Sequence, residues 1–218
     1  MRNIRAHQKE ILLGAGCFWH VEYALRRLPG IIDTKTGYAG GSSSFPSPSY
    51  KDVCEGKTNH AEVVKVVYDP NVCDLQTLLD CFLAMHDPTV VRAHGKRAQK
   101  TGQYRSCIFV FDHETERVAR EAVDDCRKQL RKLLSTEVRF LTNSSGTEES
   151  ELFWIAEDRH QRHDERVKSK DRDDVKTMDA FDWLVEYGRR SSSIWGSGES
   201  MEVAVDDSLD DGMARMMI

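Results

Sequence analysis

The stretch ILLGAGCFW, residues 11–19, decides how the chain begins to fold. Its first half is a short apolar run of the kind that forms a buried strand, and two glycines then allow the backbone to turn sharply. A helix is predicted over about residues 19–28, where a Pro-Gly pair ends it. Cys17 is therefore expected between the end of a strand and the start of a helix.

Strands and helices alternate along the rest of the chain. Apolar and β-branched runs predict further strands at residues 31–37, 61–68, 107–111 and 136–141. Apolar residues at helical spacing predict helices at residues 74–85, 114–134, 149–167 and 173–188. Residues 38–60 and 89–104 are predicted to be loops. We expect an α+β fold, a ferredoxin-like two-layer α/β sandwich with helices packed on a mixed sheet.

The composition narrows the class of protein. The 218 residues are 39% hydrophobic and 31% charged, which is typical of a soluble protein and not of a disordered one. No apolar run approaches the roughly 20 residues of a membrane span, no signal peptide is evident, and no basic cluster indicates nucleic-acid binding. We expect a cytoplasmic monomer with one domain over residues 1–188 and a flexible tail over residues 189–218.

The chain contains six cysteines, and none of them forms a C-x-x-C pair or a zinc-like cluster with histidines. In a reducing compartment they are expected to be free thiols. Cys17 is the candidate for reactivity, because backbone N–H groups at a helix start stabilise a thiolate. A buried, unreactive cysteine followed by two core aromatic residues is an equally good interpretation of its position alone.

A series of motifs in a fixed order resembles the type A methionine sulfoxide reductase family. The series covers about residues 10–165 and consists of Gly16-Cys17-Phe18-Trp19, Gly37-Tyr38-Ala39-Gly40-Gly41, Tyr50, Cys54-x-Gly56, His60-Ala61-Glu62, Tyr68-Asp69-Pro70, His86-Asp87-Pro88, Gln103-Tyr104-Arg105-Ser106 and Ala156-Glu157-Asp158-x-His160-Gln161. One such motif would be weak evidence, whereas the ordered set is specific. The resemblance implies an enzyme that reduces methionine S-sulfoxide, free or in proteins, and thereby repairs oxidised proteins.

The resemblance also implies roles for particular residues. Cys17 matches the nucleophile that becomes a sulfenic acid, and Glu62 matches the general acid, a task that needs a raised pKa near neutral pH. Tyr50 and Tyr104 match phenols that hydrogen-bond the sulfoxide oxygen. Phe18 and Trp19 match the pocket for the substrate methyl group. Metal and organic cofactors are not implied.

The match departs from the family pattern in two places near the site. His20 stands where glycine is common, and its side chain either lowers the thiol pKa or points to solvent. Gln99 stands where the family commonly has an acidic residue that helps to build the pocket.

The third departure concerns regeneration of Cys17. No cysteine follows Cys126, where family members often carry resolving cysteines near the C-terminus. Cys54 and Cys107 are alternative candidates for a resolving role. Direct reduction by an external thiol, through thioredoxin or through glutaredoxin and glutathione, is a further possibility.

Two other functions compete with this interpretation. A thiol peroxidase would also use a reactive cysteine beside aromatic residues, but it would not need the Glu62 acid. A reductase-like module that binds oxidised methionine without turnover would account for the altered loop and the absent C-terminal thiols.

Overall fold

The computed structural model describes residues 8–42, 44–45, 47–90, 102–141 and 152–167. The strands are β1 (Lys9–Ala15), β2 (Ile31–Ala39), β3 (Ala61–Tyr68), β4 (Ser106–Val110), β5 (Glu137–Phe140) and β6 (Phe153–Ile155). The helices are α1 (Phe18–Leu25), α2 (Tyr50–Cys54), α3 (Leu75–Ala84), α4 (His113–Leu130) and α5 (His163–Val167), with a 3-10 turn at Asp158–His160. The strands and helices predicted before residue 142 are therefore confirmed with small changes of boundary, and the predicted loop over residues 38–60 also contains α2.

The six strands form one mixed sheet in the order β5-β4-β1-β3-β2-β6. Neighbouring strands are antiparallel except β4 and β5, which are parallel. The main core joins one face of the sheet to α1, α3 and α4, and a smaller apolar cluster lies on the other face. Side chains alternate between faces along a strand, so in β3 Val64 joins the main core whereas Val63 joins the smaller cluster. The α+β prediction is confirmed.

The predicted helix over residues 149–167 is wrong. Within residues 152–167 the chain forms β6, a 3-10 turn and only a short terminal helix, α5. The reason is tertiary: β6 pairs with β2 opposite Gly37, where a Cβ atom would collide with the Phe153 ring and the Trp154 carbonyl oxygen. Helical spacing cannot indicate that a free sheet edge with room for an aromatic ring is available. The predicted helix 173–188 and the tail 189–218 lie outside the described residues.

Helices long and apolar enough to cross a lipid bilayer are absent from the part of the chain that the structure describes.

Candidate active site

Cys17 occupies the N-cap position of α1, as the sequence predicts. Gly16 precedes it with a φ of 113°, a left-handed conformation that favours glycine and turns the chain from β1 into the helix. Burial raises the pKa of the half-buried Cys17 thiol to about 11, and the Glu62 carboxylate raises it further, although the backbone N–H groups of Trp19 and His20 act in the opposite direction. The helix start therefore lowers the thiol pKa as expected, but burial outweighs it.

Glu62 is the second residue of β3 and is 1% exposed. Its Oε2 atom accepts a hydrogen bond from the backbone N–H of Phe18 at 3.2 Å, and its Oε1 atom accepts one from Nε2 of Gln103 at 3.1 Å. Burial raises the Glu62 pKa to about 7, and the two hydrogen bonds reduce this shift. The carboxyl group is thus half protonated at neutral pH, directly beside the residue that follows Cys17.

An aromatic wall stands beside these two groups. The Phe18 ring is buried, with its centroid 5.9 Å from that of Tyr38 and 5.3 Å from that of His160. Trp19 donates a hydrogen bond from Nε1 to Nδ1 of His160 at 3.2 Å, and its ring stacks on His163 with centroids 3.6 Å apart. The indole is therefore fixed by two histidines from the segment after β6.

Tyr50 begins α2, and its ring centroid lies 4.7 Å from that of His160. Burial, followed by a hydrogen bond with the Cys54 thiol, raises the Tyr50 pKa. Tyr104 lies within electrostatic range of Glu62, Cys17 and Cys54, and burial is the main reason why its pKa rises to about 12. Both phenols are therefore protonated near neutral pH.

The two candidate resolving cysteines have different positions. Cys54 ends α2, and its Sγ atom accepts a hydrogen bond from Nε2 of Gln103 at 3.6 Å, so it belongs to the same cluster as Glu62. Cys107 is fully buried in the smaller cluster, and its Sγ atom lies with Val63 against Gly14. Because Val63 and Glu62 point to opposite faces of β3, the Cys107 thiol lies within a core across the sheet from Glu62, a position that does not favour its candidacy.

The structure resolves one of the two departures near the site. The His20 side chain is exposed, and only the backbone N–H of His20 acts on the Cys17 thiol, so the solvent-facing alternative is confirmed. Gln99 lies outside the described residues. Among the described residues, no group of three or more His, Cys, Asp or Glu side chains could hold a metal ion.

Sequence reasoning assigned no role in the site to Glu157, His160, Tyr38 or Gln103. Glu157 accepts hydrogen bonds from the Tyr38 hydroxyl at 2.9 Å and from the Tyr50 backbone N–H at 3.0 Å. Its carboxylate therefore links β2 to α2. These four residues all stand within the ordered motifs. Their position in those motifs was the available signal, but their contacts join residues at least 41 apart in the sequence and need the folded chain.

Comparisons with known proteins agree with this geometry. A sequence model of the family described as peptide methionine sulfoxide reductase matches residues 9–186. The chain is 42% identical over 150 residues to peptide methionine sulfoxide reductase A1 of Arabidopsis thaliana, which covers 69% of this chain and 68% of that protein. It is 41% identical over 153 residues to peptide methionine sulfoxide reductase MsrA of Methanoculleus marisnigri, with coverage of 69% and 85%.

A solved structure is similar as well. Methionine sulfoxide reductase A of Corynebacterium diphtheriae is 31% identical, with a TM-score of 0.63, over 74% of this chain and 76% of that one. The family match exceeds half of the chain and agrees with the arrangement of Cys17, Glu62 and the aromatic wall. The chain therefore belongs to the type A peptide methionine sulfoxide reductases, thiol-dependent oxidoreductases that reduce methionine sulfoxide to methionine.

Proposed function

We propose that Cys17 and Glu62 carry out oxygen transfer as a pair. The Cys17 sulfur, as the thiolate, attacks the sulfoxide sulfur while the Glu62 carboxyl protonates the sulfoxide oxygen. The S–O bond of the substrate breaks and a hydroxyl is bound to Cys17, so the products are methionine, a Cys17 sulfenic acid and the Glu62 carboxylate. The observation that carries this proposal is the buried Glu62 carboxyl, whose pKa of about 7 suits proton transfer at neutral pH.

The reactive form of the Cys17–Glu62 pair holds one proton. With a thiol pKa of about 11 and a carboxyl pKa of about 7, the prevailing singly protonated form has its proton on sulfur. Moving that proton to Glu62 produces the thiolate and the acid together, as a minor form, because the thiol pKa lies above the carboxyl pKa. Substrate that accepts a hydrogen bond from Glu62 and contacts Cys17 would favour this arrangement.

Substrate orientation is proposed to come from the aromatic residues. Phe18 and Trp19 form an apolar wall suited to the methyl group, and the phenols of Tyr50 and Tyr104 are protonated donors suited to the sulfoxide oxygen. A site that fixes both the methyl group and the oxygen accepts one configuration at sulfur. We propose that this is the S epimer, in free methionine sulfoxide and in exposed protein residues.

Cys54 is proposed to regenerate Cys17. Its thiol would lose a proton and attack the Cys17 sulfur of the sulfenic acid to form a disulfide, the S–O bond would break, and the hydroxyl would leave with that proton as water. An external dithiol would then reduce the disulfide to two thiols and itself become a disulfide. Support comes from Gln103, whose Nε2 atom lies 3.6 Å from the Cys54 sulfur and 3.1 Å from Glu62. Thioredoxin, or glutaredoxin with glutathione, is the proposed reductant.

The remaining proposals concern the location of the protein in the cell, its oligomeric state, its need for a cofactor and its fold. All six cysteines are free thiols, which supports a reducing, cytoplasmic location. A monomer is also proposed, and the external thiol takes the place of a cofactor. The order β4-β1-β3-β2 around α1 and α3 supports a ferredoxin-like, split βαβ core.

The direct test is reduction of each sulfoxide epimer with dithiothreitol by the wild type and by Cys17→Ser. We expect turnover of the S epimer only, and none by the variant. Equal activity of the variant would refute the role of Cys17. Hydrogen peroxide, tested in parallel, is expected to be a poor substrate, and stoichiometric binding without methionine formation would instead favour the binding-module hypothesis.

A further inference from the structure

One buried side-chain amide links the polar groups of the site. Gln103 is 3% exposed, and its Nε2 atom donates to Oε1 of Glu62 at 3.1 Å and to Sγ of Cys54 at 3.6 Å. Its backbone carbonyl accepts a hydrogen bond from the Glu62 backbone N–H at 2.8 Å. The same side chain also lowers the pKa of the Tyr104 phenol, against the larger effect of burial. Gln103 thus contacts a group from each of the two proposed half-reactions.

We propose that Gln103 is a positioning residue for both half-reactions, orienting the Glu62 acid for oxygen transfer and the Cys54 thiol for regeneration. The inference rests on the proposed roles of Glu62 and Cys54. A primary amide has two N–H bonds on one nitrogen, so a single side chain can donate to the carboxyl group and to the sulfur at once. Serine or threonine, with a single O–H, could not make both contacts.

The orientation of the amide supports this role. Oε1 of Gln103 is buried and has no hydrogen-bond partner among the residues that the structure describes, an arrangement that folding ordinarily avoids. The opposite orientation would turn that oxygen toward the Glu62 carboxylate and leave two acceptors in contact. The amide is therefore oriented so that both of its N–H bonds point to Glu62 and Cys54.

The contribution of Gln103 to the Glu62 pKa can be measured because the neighbouring titratable groups are neutral at pH 7. The titratable groups near Glu62 are Cys17 at the start of α1, Tyr38 on β2, Tyr50 on α2 and Tyr104 before β4. Burial raises the pKa of all four, so they are neutral at pH 7. The hydrogen bonds that oppose the raised Glu62 pKa come from the Phe18 backbone and from Gln103. Removing the Gln103 donor therefore raises the Glu62 pKa further.

The first test is a pH profile of Gln103→Met, which keeps the length of the side chain but has no N–H donor. Reduced enzyme is mixed with the S-sulfoxide in single-turnover reactions without external thiol, from pH 5.5 to 9.5. The midpoint of the rising limb of the pH–rate profile should move from about pH 7 to a pH about one unit higher. At pH 7 the variant should then reach about a tenth of its own plateau rate at pH 9, whereas the wild type reaches about half of its plateau. Gln76→Met is the matched control, because Gln76 donates to Asp80 on α3, away from the site.

Structural damage would lower the rate equally at every pH, and an unchanged midpoint would remove the link to Glu62; either result overturns the inference. A ¹³C titration of the Glu62 carboxyl, assigned with Glu62→Gln, gives a readout that does not depend on activity. A shifted ¹³C midpoint with an unshifted rate profile would mean that Gln103 positions Glu62 but Glu62 is not the proton donor. That outcome refutes the proposed function and not the contact.

The second half-reaction is tested by mass spectrometry of the same single-turnover samples. We expect wild-type enzyme to form a Cys17–Cys54 disulfide and Gln103→Met to form it at least several-fold more slowly at pH 9, where the first step has recovered. Equal rates of disulfide formation would restrict Gln103 to the first half-reaction and overturn its dual role.

Discussion

Replacing Glu62 with glutamine removes the proposed proton donor and changes the shape of the pH profile. The raised carboxyl pKa of about 7, against an ordinary value of 4.5, makes the thiolate-and-acid arrangement about 300-fold more populated than an unshifted carboxyl would. In Glu62→Gln the proton must come from water, and general-acid contributions of this kind are worth about 10²–10⁴-fold in rate. We expect a loss of that size in kcat/KM at pH 7.

The sign of the pH dependence follows from the proton count. Wild-type kcat/KM should rise with a midpoint of about pH 7, where the doubly protonated Cys17–Glu62 pair becomes singly protonated. It should then stay level toward pH 10. Glu62→Gln should instead rise about tenfold per pH unit through neutral pH, because only the Cys17 thiolate remains to be formed. The defect therefore shrinks as pH increases. The variant thiol should also titrate below about 11, since the Glu62 charge that raises its pKa is gone.

The assay is initial-rate reduction of methionine S-sulfoxide with saturating dithiothreitol, at each pH, with the product quantified by chromatography. Glu22→Gln is the matched control: Glu22 is a buried glutamate of α1 whose carboxylate accepts from Thr34 and from the backbone N–H of Arg162. It should keep the wild-type profile. A Glu62→Gln profile parallel to that of the wild type, or a loss below about tenfold, would refute the reasoning.

Three further outcomes are expected. Cys54→Ser should release one equivalent of methionine normally but accumulate the Cys17 sulfenic acid, detected by dimedone labelling, whereas Cys107→Ser should leave this unchanged; the reverse pattern would exclude Cys54. Trp19→Ala should raise KM for the S epimer at least tenfold with a smaller effect on kcat, and an unchanged KM would contradict the methyl pocket. Gly37→Ala should destabilise the protein by about 1–3 kcal/mol in urea unfolding, because the added methyl collides with the Phe153 ring.

The sequence allowed the strands and helices before residue 142 to be predicted, since their apolar periodicity is a local property. It also placed Cys17 at a helix start and, through the ordered motifs, identified Glu62, Tyr50 and Tyr104 as its partners. The prediction from local periodicity failed after residue 149. There β6 forms because β2 offers a free edge at which Gly37 leaves room for the Phe153 ring.

Only the tertiary structure decided the electrostatics of the Cys17–Glu62 pair and the positions of the two candidate resolving cysteines. Burial, which depends on the whole fold, outweighs the helix start and raises the Cys17 pKa, and it also brings the Glu62 pKa to about 7. Strand pairing places the Cys107 thiol across the sheet, and Gln103, which lies 41 residues from Glu62 and 49 residues from Cys54 in the sequence, contacts both. The stretch at residues 11–19 therefore places the Cys17 thiol at a helix start, and the packing around it sets the pH range in which that thiol can react.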